Sequence, residues 1–435
     1  MRPIKHLRWW IAGLLFLATA INYVDRQTLS VLAPLLREKF GMSNTDYSRV
    51  LAAFMLAYTV MQSGFGRLVD RLGTKRGFSL AITWWSVAAV LHALSNSAMQ
   101  FGFCRFLLGA GEAGNWPGGV KAVSEWFPAR SRALAIGFFN SGSCLGAVIA
   151  PPTVAWITLQ WGWRAAFVFT GLLGFLWLAA WVAFYHSPQT HPRISQDELE
   201  LIQEDQAAPA ASPTPAAART DERWLALLGH RQVWGLVLSR LLADPVWWFY
   251  VFWLPEYLTR ERHFSLAMLG YFAWIPFLTA GLGNFVGGWC SGYLIRRGST
   301  VLAGRTWVMF LSAAIMLVGI PAVLARDATL SLALISLATL AYSSWAANIL
   351  TLPADLFPTS RVASVSGLSG TGGAMGGMAF TLLTGVVLDR FSYLPVFVAA
   401  GLMPLMAAGL IIWGVRPGPI RETGRGTGGF PLSRE

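Results

Sequence analysis

Charge is what this sequence has least of: 12% of its residues are Asp, Glu, Lys or Arg, about half the share of an ordinary soluble domain. With 55% of the residues hydrophobic, that scarcity excludes a water-soluble globular chain. Cysteine is scarce too. Cys104, Cys144 and Cys290 fall singly inside apolar runs and imply neither a disulfide nor a metal site. The six histidines show no ligand spacing, and His186 and His191 flank a Pro-containing linker where solvent is expected to reach them. No nucleophile–base pair or metal cluster is present to support an enzyme, and no cofactor is expected. A phosphate loop is also lacking. Gly114 to Lys121 comes near the pattern, but its lysine is displaced and Ala122 stands where Ser or Thr is needed.

What the chain has in abundance is apolar runs near the length that spans a bilayer, and the need to satisfy backbone groups in lipid makes such runs helices. Six are expected at about 9–36, 46–66, 77–95, 99–120, 132–157 and 163–185, and six more at about 232–256, 266–294, 305–325, 329–352, 362–387 and 393–415. The fold class is therefore an all-α polytopic membrane protein of twelve helices in two halves, 1–185 and 230–415. Between them, 186–229 reads as a linker, with an acidic amphipathic piece at 195–205 and a Pro/Ala-rich stretch at 207–218. The basic, Gly-rich tail 416–435 is expected to be disordered. The formal charge of +12 has a topological cause rather than a nucleic-acid partner. Lys and Arg concentrate in the termini and the even-numbered loops, which places both termini in the cytoplasm. Arg2, Lys5 and Arg8 before an apolar run imitate a signal peptide, but the helical pattern continues through Arg26, so an uncleaved first helix is expected.

Charges at membrane depth cost roughly 2.5–3.5 kcal/mol each on insertion scales and call for a partner or a function. Three groups stand out: Asn22-Tyr23-Val24-Asp25-Arg26, Arg105 with Glu112, and Arg240 with Asp244. Together they read as a site for an organic anion and protons. The halves also repeat. Phe127-Pro128, Ala133, Gly137, Gly142 and Gly146 recur, at one constant offset, as Phe357-Pro358, Ala363, Gly367, Gly372 and Gly376. A repeat of this kind is the architecture in which transporters bind substrate between halves. Small-xxx-small pairs such as Gly142/Gly146 and Gly372/Gly376 suit close helix packing, static or mobile.

Between the second and third helices stands Gly66-Arg-Leu-Val-Asp70-Arg71-Leu-Gly73-Thr-Lys75-Arg76. This stretch resembles the loop signature of the major facilitator superfamily, with Thr74 replacing one basic residue. The resemblance implies a gating role for Gly66, Asp70, Arg71, Gly73 and Lys75. The corresponding second-half loop, Gly288 to Gly298, lacks the acid, so any gate there is expected to be weaker. Within the superfamily the chain is similar to the anion:cation symporter family over both halves. Asn22-Tyr23-x-Asp25-Arg26, Arg105 with Glu112, Lys121 to Pro128, Ala147 to Pro152 and Arg240 to Trp247 carry the likeness. The last three of these resemble hexuronate transporters in particular. Asp25 is a departure, since an acid at this position is a feature of aldonate carriers and is missing from some hexuronate carriers.

The resemblance implies that Arg26 and Arg105 face a central cavity, where guanidinium groups match a carboxylate in bidentate geometry. Asp25 and Glu112 are by the same resemblance the proton-coupling groups, with a static salt bridge as the alternative for each. Burial and a nearby arginine act in opposite directions on a carboxylate's proton affinity, which suits it to a switch. Arg105 and Glu112, two turns apart on one face, are too distant to pair directly, which leaves Glu112 free to titrate. Tyr23 and Tyr58 are candidate hydroxyl contacts. Arg240 has the i, i+4 spacing to pair with Asp244, yet its counterpart in relatives faces the cavity. Ser343, Ser344, Trp345 and Asn348 are candidate sugar contacts or helix–helix bonds. The expected partners are a small organic anion of the sugar-acid type, protons and the lipid bilayer, with the chain acting as a monomer in a bacterial inner membrane. A hexuronate:proton symporter is the leading reading, an aldonate:proton symporter the alternative, and an organophosphate-type exchanger using Arg26 and Arg240 a more distant one.

Overall fold

The computed structural model describes residues 3–42, 44–207, 224–264, 268, 272 and 274–415. The stretch 208–223 and the tail 416–435 lie outside them. The helices are α1 Leu7–Phe40, α2 Asn44–Leu72, α3 Thr74–Leu91, α4 Ala98–Glu112, α5 Asn115–Trp126, α6 Ala129–Trp161, α7 Trp163–Phe184 and α8 Gln196–Ala207 in the first half and linker. The second half holds α9 Arg231–Arg260, α10 Ile275–Arg296, α11 Val301–Met316, α12 Gly319–Leu324, α13 Ala328–Ile349, α14 Leu352–Leu356, α15 Val362–Arg390 and α16 Tyr393–Val415. No strand occurs among the described residues.

Three pairs, α4–α5, α11–α12 and α13–α14, each form one broken rod, so the chain makes twelve spans. Pro117, Pro321 and Pro353 stand in the first turn of each second piece, where a missing N–H is harmless. The fourth expected run, 99–120, is accordingly two helices ending at Trp126.

Seven spans are apolar enough to cross a membrane by composition alone. The five that fall short are α2, α4–α5, α9, α10 and α15. Large apolar side chains such as Leu159, Leu176 and Leu382 stand exposed around the outside, where lipid satisfies them.

The repeat is structural as well as sequential. Spans 98–126 and 328–356 begin and end in the register set by the repeated motifs. A Cβ at Gly142 or Gly146 would strike the carbonyls of Phe16 and Ala20, and one at Gly372 or Gly376 those of Val237 and Leu241. The same small-residue face of α6 and α15 thus receives α1 and α9, so that these two first helices correspond as well, at a somewhat shorter offset.

The halves meet along α2 with α15 and α6 with α10. Gly66 lies so close to α15 that a Cβ would strike the Ala363 carbonyl. Bonds joining the halves run from Asn140 Nδ2 to Asn284 Oδ1 (2.7 Å) and Ser63 to Thr371 (2.8 Å), both midway along the spans, down to the ends of the helices on the side of the termini.

The start of the linker is strapped to the first half. Glu198 in α8 accepts the amides of Leu7 (2.9 Å) and Arg8 (3.2 Å) at the start of α1, where an acid satisfies orphan donors and complements the helix dipole. His191, expected to be solvated, is instead buried, and its Nε2 lies 3.1 Å from the Phe184 carbonyl oxygen. The α7 end and the Trp126 ring, 5.6 Å away edge-on, make a pocket for its imidazole.

Candidate functional site

The α1 backbone carries Tyr23 and Arg26 on one face, three residues apart. Arg26 Nε donates to Glu112 Oε2 at 2.9 Å, and its Nη2 lies 2.8 Å from that oxygen and donates to Asn22 Oδ1 at 3.2 Å. The guanidinium carbon stands 4.7 Å from the Tyr23 ring centroid, 5.1 Å from Tyr58 and 5.2 Å from Phe54. Aromatic faces attract a cation while withholding water. Glu112, at the last turn of α4 before the Pro117 break, is fully buried behind this arginine. Spacing along α4 separates Glu112 from Arg105 as expected, but α1 delivers a different arginine, so Glu112 stands in a salt bridge.

The expectation for Arg105 is corrected. It does not line the cavity but is buried beneath it, donating Nη2 to the backbone carbonyl of Arg26 at 2.9 Å with its guanidinium 5.7 Å from Phe54. Asp25, turned about 100° from Arg26 by the helical twist, is 2% exposed and points away from the cavity. Neither carboxylate oxygen meets a donor in hydrogen-bonding geometry.

In the second half, α9 brings Arg240 and Asp244 together. Both Nε (2.9 Å) and Nη2 (2.7 Å) of the arginine donate to Asp244 Oδ2, and the Tyr342 hydroxyl donates to Oδ1 at 3.4 Å. Gly373 of α15 makes the room, since a Cβ there would strike this carboxylate. One turn beyond, the Trp247 ring stacks on Tyr342 with centroids 5.7 Å apart and 11° between planes. Of the aromatic run, Trp247 and Trp248 face the cavity, while Phe249 and Tyr250 pack on Phe397.

These elements line a central cavity between the halves. Of the residues expected there, Tyr23, Arg26, Tyr58, Arg240 and Ser343 line it. Trp345 and Asn348 do not. Trp345 is fully buried, and Asn348 Nδ2 donates to the carbonyls of Gly287 (3.1 Å) and Ser344 (2.9 Å), fastening α13 to α10. Ser344 likewise serves packing, its oxygen accepting from Ser312 Oγ at 3.1 Å. The sequence reading missed Gln62, Asn140, Ser143, Asn284 and Tyr342, all in the cavity wall. Amides at membrane depth carry the same desolvation signal as charges in weaker form, and Tyr342 holds the second-half repeat position equivalent to Glu112.

The loop signature sits at the terminal side of this cavity. Asp70 at the end of α2 accepts from Lys121 Nζ (2.8 Å) and from the backbone amides of Ala363 (3.3 Å) and Ser364 (2.7 Å) at the start of α15. Thus a first-half carboxylate caps a second-half helix. Lys121 of the near-miss phosphate pattern serves this contact instead. Gly73 has φ +79°, open to glycine and strained for other residues, and its turn sets Thr74 to donate to Glu125 Oε1 at 2.5 Å. The Lys75 carbonyl accepts from Trp181 Nε1 at 3.3 Å, and the Arg71 side chain is exposed.

The second-half counterpart of this loop lacks an acid of its own. The missing acid is supplied from α14 by Asp355, which accepts from Arg132 Nη1 and Arg305 Nε, each at 3.1 Å. Arg305 Nη2 also donates to the Ala129 carbonyl at 2.6 Å.

Comparison with known proteins agrees with this architecture. The family model described as Major Facilitator Superfamily matches residues 15–304. A hexuronate transporter of Escherichia coli (strain K12) is 34% identical over 416 residues, 95% of each chain. A galacturonate transporter of Dickeya chrysanthemi is 37% identical over 289 residues, 66% of this chain and 83% of that one. Among solved structures, the proton:xylose symporter XylE bound to 6-bromo-6-deoxy-D-glucose superposes with a TM-score of 0.74 at 15% identity, over 94% of this chain and 96% of that one.

Proposed function

The chain belongs to the Major Facilitator Superfamily, and from that premise we propose that it is a proton-coupled symporter importing a sugar acid with a single carboxylate, a hexuronate such as glucuronate or galacturonate. The observation that carries this reading is the Arg26–Glu112 pair at the cavity wall. The pair is neutral as it stands. A substrate carboxylate on Arg26 would leave one uncompensated negative charge in a low-dielectric site, which is strongly unfavourable. A proton on Glu112 restores neutrality and frees the arginine. Anion and proton therefore favour each other's binding, which is what symport requires.

Around this seat, Tyr23, Tyr58 and Arg240 contact the substrate, with the amides of Gln62, Asn140 and Asn284 as hydroxyl partners. Arg105 positions the α1 backbone. Asp25 is a second proton site, reached through the same helix. Asp70, with Gly66, Arg71, Gly73 and Lys75, holds the terminal side shut, and the Lys/Arg distribution assigns that side to the cytoplasm. The cavity then faces outward. Residues 1–185 and 230–415 are the two bodies that rock about it, joined by 186–229. The relatives named above are transporters, and the reading involves no bond-making step. A bacterial inner membrane and a monomeric carrier complete it. The aldonate alternative rests on Asp25 and uses the same seat.

The test is the electrical and pH response of proteoliposomes given glucuronate, galacturonate, galactonate and a sugar phosphate, for wild type and Glu112→Gln. Proton entry driven by a hexuronate, lost in the variant while binding persists, is expected. Exchange without proton movement, unaltered by the substitution, would overturn the reading.

A further inference from the structure

The two arginines of the cavity are neutralised in different ways, and the difference decides what each side accepts. Glu112 lies behind Arg26, fully buried and outside the cavity lining. The arginine thus stands between its own carboxylate and the substrate. Asp244, by contrast, lines the cavity itself beside Arg240. Its Oδ2 takes both Nε and Nη2, and Tyr342 supports Oδ1. A group approaching that wall meets a carboxylate as soon as it meets the guanidinium. The first half therefore offers a seat for an anion, and the second half offers acceptors for hydroxyls.

We infer that Asp244 is the specificity-determining residue that restricts the cavity to substrates with one carboxylate, excluding hexarates, in which both ends of the six-carbon chain are ionised. This rests on the sugar-acid reading above. A uronate places its carboxylate on Arg26 and its uncharged end near Asp244. A hexarate placed the same way sets a second carboxylate against Asp244, where Arg240 is already neutralised by that residue, so the added charge has no free cation and stands close to a like charge with little water to screen it. Gly373 tightens the arrangement, because α15 comes so close there that a Cβ would strike Asp244 Oδ2, which limits the retreat of the carboxylate.

The test needs no substitution at first. Binding to the wild-type carrier is measured by calorimetry for glucuronate, for glucarate and for a glucarate monoamide, which keeps the shape but loses one charge. The monoamide is expected to bind as glucuronate does, and glucarate at least about tenfold more weakly, a modest estimate for a like-charge contact in a partly dry site. In Asp244→Asn the glucarate-to-glucuronate preference shifts toward the dianion by about tenfold or more. Adding Arg240→Gln to that variant removes the gain. If glucarate and its monoamide bind the wild type alike, the inference is overturned without recourse to a variant. It is equally overturned if Asp244→Asn binds glucuronate with no gain for glucarate. A wild type that binds no sugar acid at all would instead overturn the functional reading beneath it.

Discussion

The two halves place different chemistry on the same scaffold. Through the glycines of α6 and α15, Phe16 and Ala20 correspond to Val237 and Leu241. Extending that correspondence along α1 and α9 sets Arg26 against Trp247, and the repeat of the glycine motifs sets Glu112 against Tyr342. Where the first half has a buried guanidinium–carboxylate pair at 2.8 Å, the second has two stacked rings at 5.7 Å. The second-half ion pair, Arg240–Asp244, begins two turns earlier, where the first half has Thr19 and Tyr23. On the proposed reading the repeated fold divides its labour, with charge recognition and proton coupling on one side and a flat aromatic wall for a sugar ring on the other.

The largest expected effect comes from breaking the charged half. Arg26→Ala leaves Glu112 buried without its cation, at a cost of about 3–5 kcal/mol, and removes the anion seat, so substrate binding falls on the order of 100-fold or more. The double variant Arg26→Ala/Glu112→Gln regains stability but not binding, as read by thermal unfolding and calorimetry. Equal stability of the single and double variants would contradict the pair's assigned role.

Next comes the contact that locks the halves together. Asp70→Asn weakens charge-assisted bonds worth about 1.5–3 kcal/mol and should slow transport about 10- to 100-fold. With Cys104 and Cys290 changed to Ser, a thiol reagent applied from the terminal side should then reach Cys144 in the cavity faster than in the parent. An unchanged labelling rate would remove Asp70 from any gate.

Breaking the aromatic half should cost less. Trp247→Leu removes a stack worth about 0.5–1.5 kcal/mol, so affinity should fall about 3- to 10-fold with the proton-to-substrate ratio unchanged. A changed ratio would mean that the halves share the coupling after all. The smallest effect on binding is expected at Asn348→Ala. Loss of its bonds to Gly287 and Ser344 lowers stability by about 1 kcal/mol while affinity stays within about twofold, which equilibrium binding and thermal unfolding together would check.

Several of these contrasts are legible in the sequence. Apolar run length gave twelve spans because a bilayer admits no other backbone solution for such a composition. The constant offset between the glycine motifs marked the two halves, and Arg26 and Glu112 stood out because isolated charges in apolar runs are expensive. Other features escaped. Arg105 is as charged as Arg26, and only packing decides that it braces a backbone carbonyl instead of facing the cavity. Asn348 and Asn284 are both amides on interior helices, yet one fastens helices and the other lines the site. Asp355 had no motif to announce it, because its partners Arg132 and Arg305 lie 223 and 50 residues away.

What the sequence determined by itself was the membrane, the twelve spans, the twofold repeat and the identity of the charges that need a reason, since each follows from transfer free energies summed along the chain. What the tertiary structure alone decided was the pairing. Arg26 with Glu112, Asp70 with the start of α15 and Asp244 beside Arg240 depend on which side chains packing brings into hydrogen-bonding reach of one another. Hydrophobic periodicity fixes which face of a helix turns inward, but the neighbour that meets it is set by close packing among all twelve.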